Sequence, residues 1–125
     1  MYASHRASNA YRAVDLQSAP KQEILRRLFD RFLLDVEQAR QAIIAKDILA
    51  KSKAVDHALR IVNELEASLD HNSAPELCGN LVRLYNFVSD RIHTASVKLE
   101  TKPLDEAAAL MAELAATFRE ATIRR

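Results

Sequence analysis

Four histidines and one cysteine are the side chains best suited to chemistry in this chain: His5, His57, His71, His93 and Cys78. An imidazole can move protons, hold a metal or carry a phosphoryl group near neutral pH. Metal sites in helices need ligands one turn apart, and no two of these histidines lie at i, i+4. Glu-x-x-His, the ligand pair of di-iron carboxylate bundles, is absent. Cys-x-x-Cys-His, the haem attachment motif, is absent as well. One cysteine excludes an intrachain disulfide and a cysteine-cluster metal site. The single glycine, Gly79, cannot build a glycine-rich phosphate loop. The expectation is no enzyme, no cofactor, no metal and no catalytic residue. Cys78, three residues before Leu81, reads as a small core residue.

One catalytic alternative survives this reading. Histidine phosphotransfer bundles of this length present one exposed imidazole near mid-helix. His57, within Val55-Asp56-His57-Ala58-Leu59-Arg60, has such a place, and His93 is a second candidate. Phosphotransfer families set a lysine and a small residue soon after the histidine. Here Arg60 supplies charge, but Ile61 stands where a small residue would admit a partner. The favoured reading of His57 is therefore a solvated surface histidine.

The elements that position these groups are helical. The chain has 125 residues, a hydrophobic fraction of 49% and three prolines, so it forms one domain with a core of its own. All three prolines follow a hydroxyl residue by two positions: Ser18-Ala-Pro20, Ser73-Ala-Pro75 and Thr101-Lys-Pro103. A hydroxyl can accept from the free amides of a first turn, and proline there loses no intrahelical bond. Glu76, three residues after Ser73, completes a capping-box spacing. Asp47, before Ile48, marks a fourth start. Between these signals apolar residues recur at three and four. The first set is Leu25, Leu28, Phe29, Phe32, Val36, Ala39 and Ile43; the second is Ile48, Val55, Ala58, Leu59, Val62, Leu65 and Leu69. The third runs through Leu77, Leu81, Leu84, Tyr85, Val88, Ile92, Ala95 and Leu99, and the fourth from Leu104 through Met111 and Phe118 to Ala121. Each set closes into one stripe at about 100° per residue. Four helices of about 20–25 residues with short links predict an all-α, antiparallel up-down-up-down bundle. The bundle is expected over residues 18–125. Residues 1–17 are expected to form an arm, with or without a short helix, docked on it, because Tyr2, Tyr11, Val14 and Leu16 are unlike a solvated tail.

Charge and hydropathy limit the partners. Eighteen basic residues against seventeen acidic ones leave a net charge of +1, too little for sequence-independent binding to nucleic acid or anionic lipid. No apolar run reaches the length of a membrane span, and the opening MYASHRASNAYRAV lacks the apolar centre of a secretory signal. The expected setting is the cytoplasm, with no membrane insertion. Some apolar residues fall to the side of the stripes: Leu33, Ile61, Val82 and Phe87, with Leu34 and Val97 nearly opposite the core. A wide apolar arc marks either more neighbours or a groove beside the core.

The ordered blocks of the chain resemble the flagellar secretion chaperones that bind flagellin. Ser8-Asn9-Ala10-Tyr11 resembles their N-terminal motif, and Leu28-Phe29-Asp30 their Leu-Tyr-Asp. Lys46-Asp47-Ile48 with Ala50-Lys51, then Ile61-Val62-Asn63-Glu64-Leu65 with Ser68-Leu69-Asp70, resemble the two ends of their second helix. Glu76-Leu77, Asn80-Leu81 and Leu84-Tyr85-Asn86-Phe87 resemble the third, with Arg91 and Ala95 beyond. Leu104-Asp105-Glu106-Ala107 and Phe118-Arg119-Glu120-Ala121 resemble the ends of the fourth, so the likeness runs from Ser8 to Ala121. The chain departs from the family at Arg31, where a glycine is usual, and at Phe118, where a tryptophan is common. Ala74-Pro75 replaces a glycine pair, and Pro20 lies one residue further from Leu28-Phe29-Asp30 than is usual.

The resemblance implies a cytoplasmic export chaperone. It would hold the C-terminal segment of flagellin, prevent premature polymerisation and deliver the client to the flagellar export gate, as a monomer or weak homodimer. By motif it carries client or gate binding onto Asn9, Ala10 and Tyr11. Val14, Leu33, Ile61, Val82 and Phe87 join them as off-stripe or arm residues. The alternative is a helical adaptor for another secreted client, and after it the phosphotransfer bundle.

Overall fold

The computed structural model describes residues 19–123. Over that range the chain forms four helices: α1 (Ala19–Ala45), α2 (Ile48–Ala67), α3 (Pro75–Lys98) and α4 (Lys102–Ile123). Each helix packs closely against two neighbours, α1 on α2, α2 on α3, α3 on α4 and α4 on α1, while the backbones of diagonally opposite helices stay apart. The expected all-α four-helix bundle is therefore the observed architecture, and α1 with α2 makes the most extensive contact. The arm assigned to residues 1–17, with Asn9, Ala10, Tyr11 and Val14, lies outside the described residues, as does Ser18.

The apolar stripes converge on one core. Phe29, Phe32, Leu65, Tyr85, Ile92, Leu104 and Met111 are buried to 2% exposure or less. Phe29 and Phe118 meet across the α1–α4 seam with ring centroids 5.5 Å apart and planes tilted by 32°. Cys78 is buried in this core, as its place beside the stripe suggested. Two stripe residues are not in it: Ile48 and Leu99 remain 52% and 47% exposed. Ile48 opens α2 and Leu99 closes α3, so both stand beyond the last layer that four helices share.

The turns explain the helix ends. Between α1 and α2 the Asp47 amide donates to Ala42 O at 2.9 Å and the Lys46 amide to Ile43 O at 3.1 Å. This pair of bonds closes a Schellman turn, with Lys46 in the left-handed region at φ 60°. Asp47 then caps α2, its Oδ1 accepting from the Ala50 amide at 3.1 Å, as the sequence indicated. A side chain at Lys46 strains a backbone that glycine adopts freely. Lys46→Gly is therefore expected to raise the unfolding free energy by about 1 kcal/mol, after the entropy that glycine adds to the unfolded chain. Urea unfolding at unchanged slope measures it, and a destabilised variant would contradict the strain.

The start of α3 differs from the expected capping box. Ala74 is the N-cap, with no side-chain cap bond, and Pro75 occupies the first turn. Ser73 turns away: its Oγ donates to Asp70 Oδ2 at 2.6 Å, and its amide donates to Asp70 Oδ1 at 3.3 Å. The charge-assisted bond to Asp70 orients the Ser73 side chain toward the turn and away from the α3 amides. α4 begins where the third proline motif predicted it, and the Asp105 amide donates to Thr101 O at 3.1 Å.

Tyr85 carries a pH dependence. Burial, reinforced by the charge of Glu66, pushes its phenol well above the ordinary range. A raised folded-state value favours the neutral phenol in the folded chain. Its contribution is whole below the ordinary tyrosine range near pH ~10 and fades as pH rises through the folded value. Between those limits wild-type stability is expected to fall with pH more steeply than that of Tyr85→Phe. Parallel slopes for the two proteins would contradict this.

Candidate functional site

Apolar side chains that the core does not absorb gather at one end of the bundle. The antiparallel order sets the C-terminus of α1, the N-terminus of α2 and the C-terminus of α3 together. Lys51 ties α2 to α3 there, its Nζ donating to Ser96 O at 3.2 Å and to Ser96 Oγ at 3.1 Å. On this end stand Ile44, Ile48, Leu49, Val97 and Leu99, five of the eight large apolar residues exposed among the described ones. Leu49 and Val97 are the most open, at 74% and 83%. Lys46 and Leu99, the two described non-glycine residues at positive φ, lie in the turns that frame this end. Exposed apolar surface gathered in this way is a candidate interaction site.

The residues singled out from sequence are distributed differently. Phe87 is on the surface, with the Arg91 guanidinium 5.7 Å from its ring centre. Arg91 also reaches Asp90 at 3.1 Å and, across to α4, Glu106 at 3.7 Å. Its Nε is buried with no hydrogen-bond partner among the described residues. Leu33 and Val82 are half-buried and pack against the core. Ile61, read as off the stripe, is 3% exposed and belongs to the core. It lies one residue before Val62, so the broad α2 face covered by α1 and α3 takes both. Leu34 and Val97 point outward as expected.

Sequence reasoning missed a polar cluster between α1 and α2. Asp35 is almost fully buried and is the most deeply buried charged residue described. Its Oδ1 accepts from Arg31 Nε at 3.1 Å, one turn back on α1. Its Oδ2 accepts from His57 Nδ1 across the helix pair. His57 is thus half-buried and paired, where a solvated surface histidine was expected. The bond engages Nδ1 and leaves Nε2 with no partner among the described residues, and His57 lines a cleft of about 580 Å³. A carboxylate-oriented imidazole can serve as a base. No serine, threonine or cysteine lines this cleft for it to activate, while Lys53 and Arg60 supply positive charge. The arrangement is equipped to bind, through charge and hydrogen bonds.

Comparison with known proteins gives one family. The model of the family described as flagellar protein FliS matches residues 3–125. The chain is 31% identical over 118 residues to the flagellar secretion chaperone FliSB of Pseudomonas aeruginosa, covering 91% of this chain and 93% of that one. It is 28% identical over 128 residues to the flagellar secretion chaperone FliS of Escherichia coli, covering 98% and 93%. With the Salmonella typhimurium chaperone of the same name the identity is 27% over 106 residues, covering 84% and 78%.

Proposed function

The chain belongs to the flagellar protein FliS family, and from that premise we propose that it holds the C-terminal segment of flagellin in the cytoplasm, prevents its premature polymerisation and delivers it to the export gate. The family match over nearly the whole chain carries this reading. The apolar end of the bundle supports it physically. A flagellin terminus carries amphipathic repeats that would otherwise associate with one another, and a bundle that leaves apolar side chains open can bury them. The client orders as it binds, and the ordering cost offsets part of the contact energy, which suits a complex that must release. In this reading Asn9, Ala10, Tyr11 and Val14 contact the client or the gate. Phe87 on α3 and the half-buried Leu33 and Val82 are further candidate contacts, while Ile61, buried in the core, acts through packing.

Mixing the protein with a flagellin C-terminal peptide is expected to yield a soluble 1:1 complex with added helix by circular dichroism. Apolar burial makes that complex change little between low and moderate salt. No complex, or one that dissociates at moderate salt, contradicts the reading. No described helix is long and apolar enough to cross a membrane.

A further inference from the structure

We propose that the cleft between α1 and α2 docks an acidic amphipathic helix of a partner protein, whose carboxylates meet Lys53, His57 Nε2 and Arg60. This inference rests on the chain being a binding protein, and does not require flagellin to be the partner.

Three observations converge on it. The first is spacing. Lys53, His57 and Arg60 follow one another at four and three residues, so they form a single row along the outer side of α2. Lys53 and Arg60 are separated by two helical turns, about 10.5 Å at 1.5 Å per residue. A partner helix with Glu or Asp at i, i+3 or i+4, and i+7 repeats that row. The second is charge. Arg31 and His57 already satisfy Asp35, one donor to each oxygen, so the buried carboxylate is engaged from within. Lys53 and Arg60 are exposed and carry no ion pair among the described residues. Asp56, on the same wall, is the one further acid lining the cleft, so Lys53 and Arg60 leave an excess of one positive charge there. The third is shape. Ala50 and Ala54 give the wall short side chains between the charged ones, so a helix can approach closely. Leu49, one turn before Lys53 and 74% exposed, offers an apolar contact at the upper end of the row.

Asp35 acts here as a positioning residue. It holds the His57 ring by Nδ1 and so orients Nε2, which donates to a carboxylate when both ring nitrogens carry a proton.

The test uses the full chain and two synthetic alanine-based helical peptides. One carries glutamates at i, i+4 and i+7; the other carries glutamines there. Binding is followed by the ring-nitrogen resonances of His57. The glutamate peptide is expected to bind at least about tenfold more tightly and to shift the His57 Nε2 signal. Lys53→Glu with Arg60→Glu should abolish that preference and confer binding of a lysine version of the peptide. Both positions are exposed, and circular dichroism checks that the doubly substituted chain keeps its helix. Equal binding of the glutamate and glutamine peptides overturns the proposal. So does no binding of either, or binding that leaves His57 unmoved. No flagellin enters this experiment, so its failure and that of the flagellin reading are separate results.

Discussion

Phe29→Ala is expected to lose about 3–5 kcal/mol of folding stability, the range for a fully buried phenylalanine cut to alanine. Phe29 is 2% exposed and meets Phe118 at 5.5 Å across the seam that closes α4 onto α1. Truncation removes the transfer free energy of the ring, leaves a cavity and breaks an aromatic pair. Domains of this size are stable by about 5–15 kcal/mol, so the variant would approach the limit of folding at body temperature. Phe29→Leu, which keeps most of the volume, is expected to lose clearly less. Urea unfolding of the three proteins gives the values, and a loss under about 1 kcal/mol for alanine would contradict the packing of α1 on α4.

The second large effect is an asymmetry at the Asp35–His57 pair. His57→Leu strips one donor from a carboxylate that is almost fully buried and leaves Arg31 as its partner. That variant is expected to lose about 1–3 kcal/mol, the cost of leaving one buried carboxylate oxygen without its donor. Asp35→Leu removes the buried charge itself and lets the half-buried imidazole turn to water. It is expected to cost less than His57→Leu, because Arg31 and His57 both reach solvent and no buried charge is left short of a donor. The double variant should resemble Asp35→Leu, not the sum of the two single changes. Simple additivity in a double-mutant cycle would show that the two groups do not depend on each other.

Much of the bundle is written locally. Proline in a first turn depends on a few neighbouring residues, so the motifs at Pro75 and Pro103 mark the starts of α3 and α4. The α2 cap at Asp47 is local in the same way. Periodicity located Phe32, Leu65, Val88 and Met111 in the core because one helix face is enough to specify burial. It failed at Ile48 and Leu99, where burial depends on whether a neighbouring helix extends that far. It failed at Ile61 because two helices, not one, cover that side of α2. The capping-box spacing at Ser73 does not become a cap because Asp70, three residues earlier, turns the hydroxyl toward itself.

The α1–α2 cleft was the hardest feature to read. Asp35 stands three residues after Phe32 and next to Val36, at the margin of the α1 stripe, where a carboxylate reads as surface. Its partner His57 is 22 residues away, and pairing them requires the register of α1 on α2. A charged residue at a stripe margin, with arginine one turn before it, was the signal available. The apolar end was half visible: Val97 was recognised as outward, while Ile44 and Leu49 were assigned no face, and only the antiparallel order brings them together.

Capture of flagellin by this protein tests the central claim most directly. Tagged protein is mixed with full-length unassembled flagellin and, separately, with flagellin lacking its C-terminal segment, and the bound fraction is measured after gel filtration. The account predicts a stable complex with the full-length chain and none with the truncated one. Equal capture of both forms, or capture of neither, would contradict it.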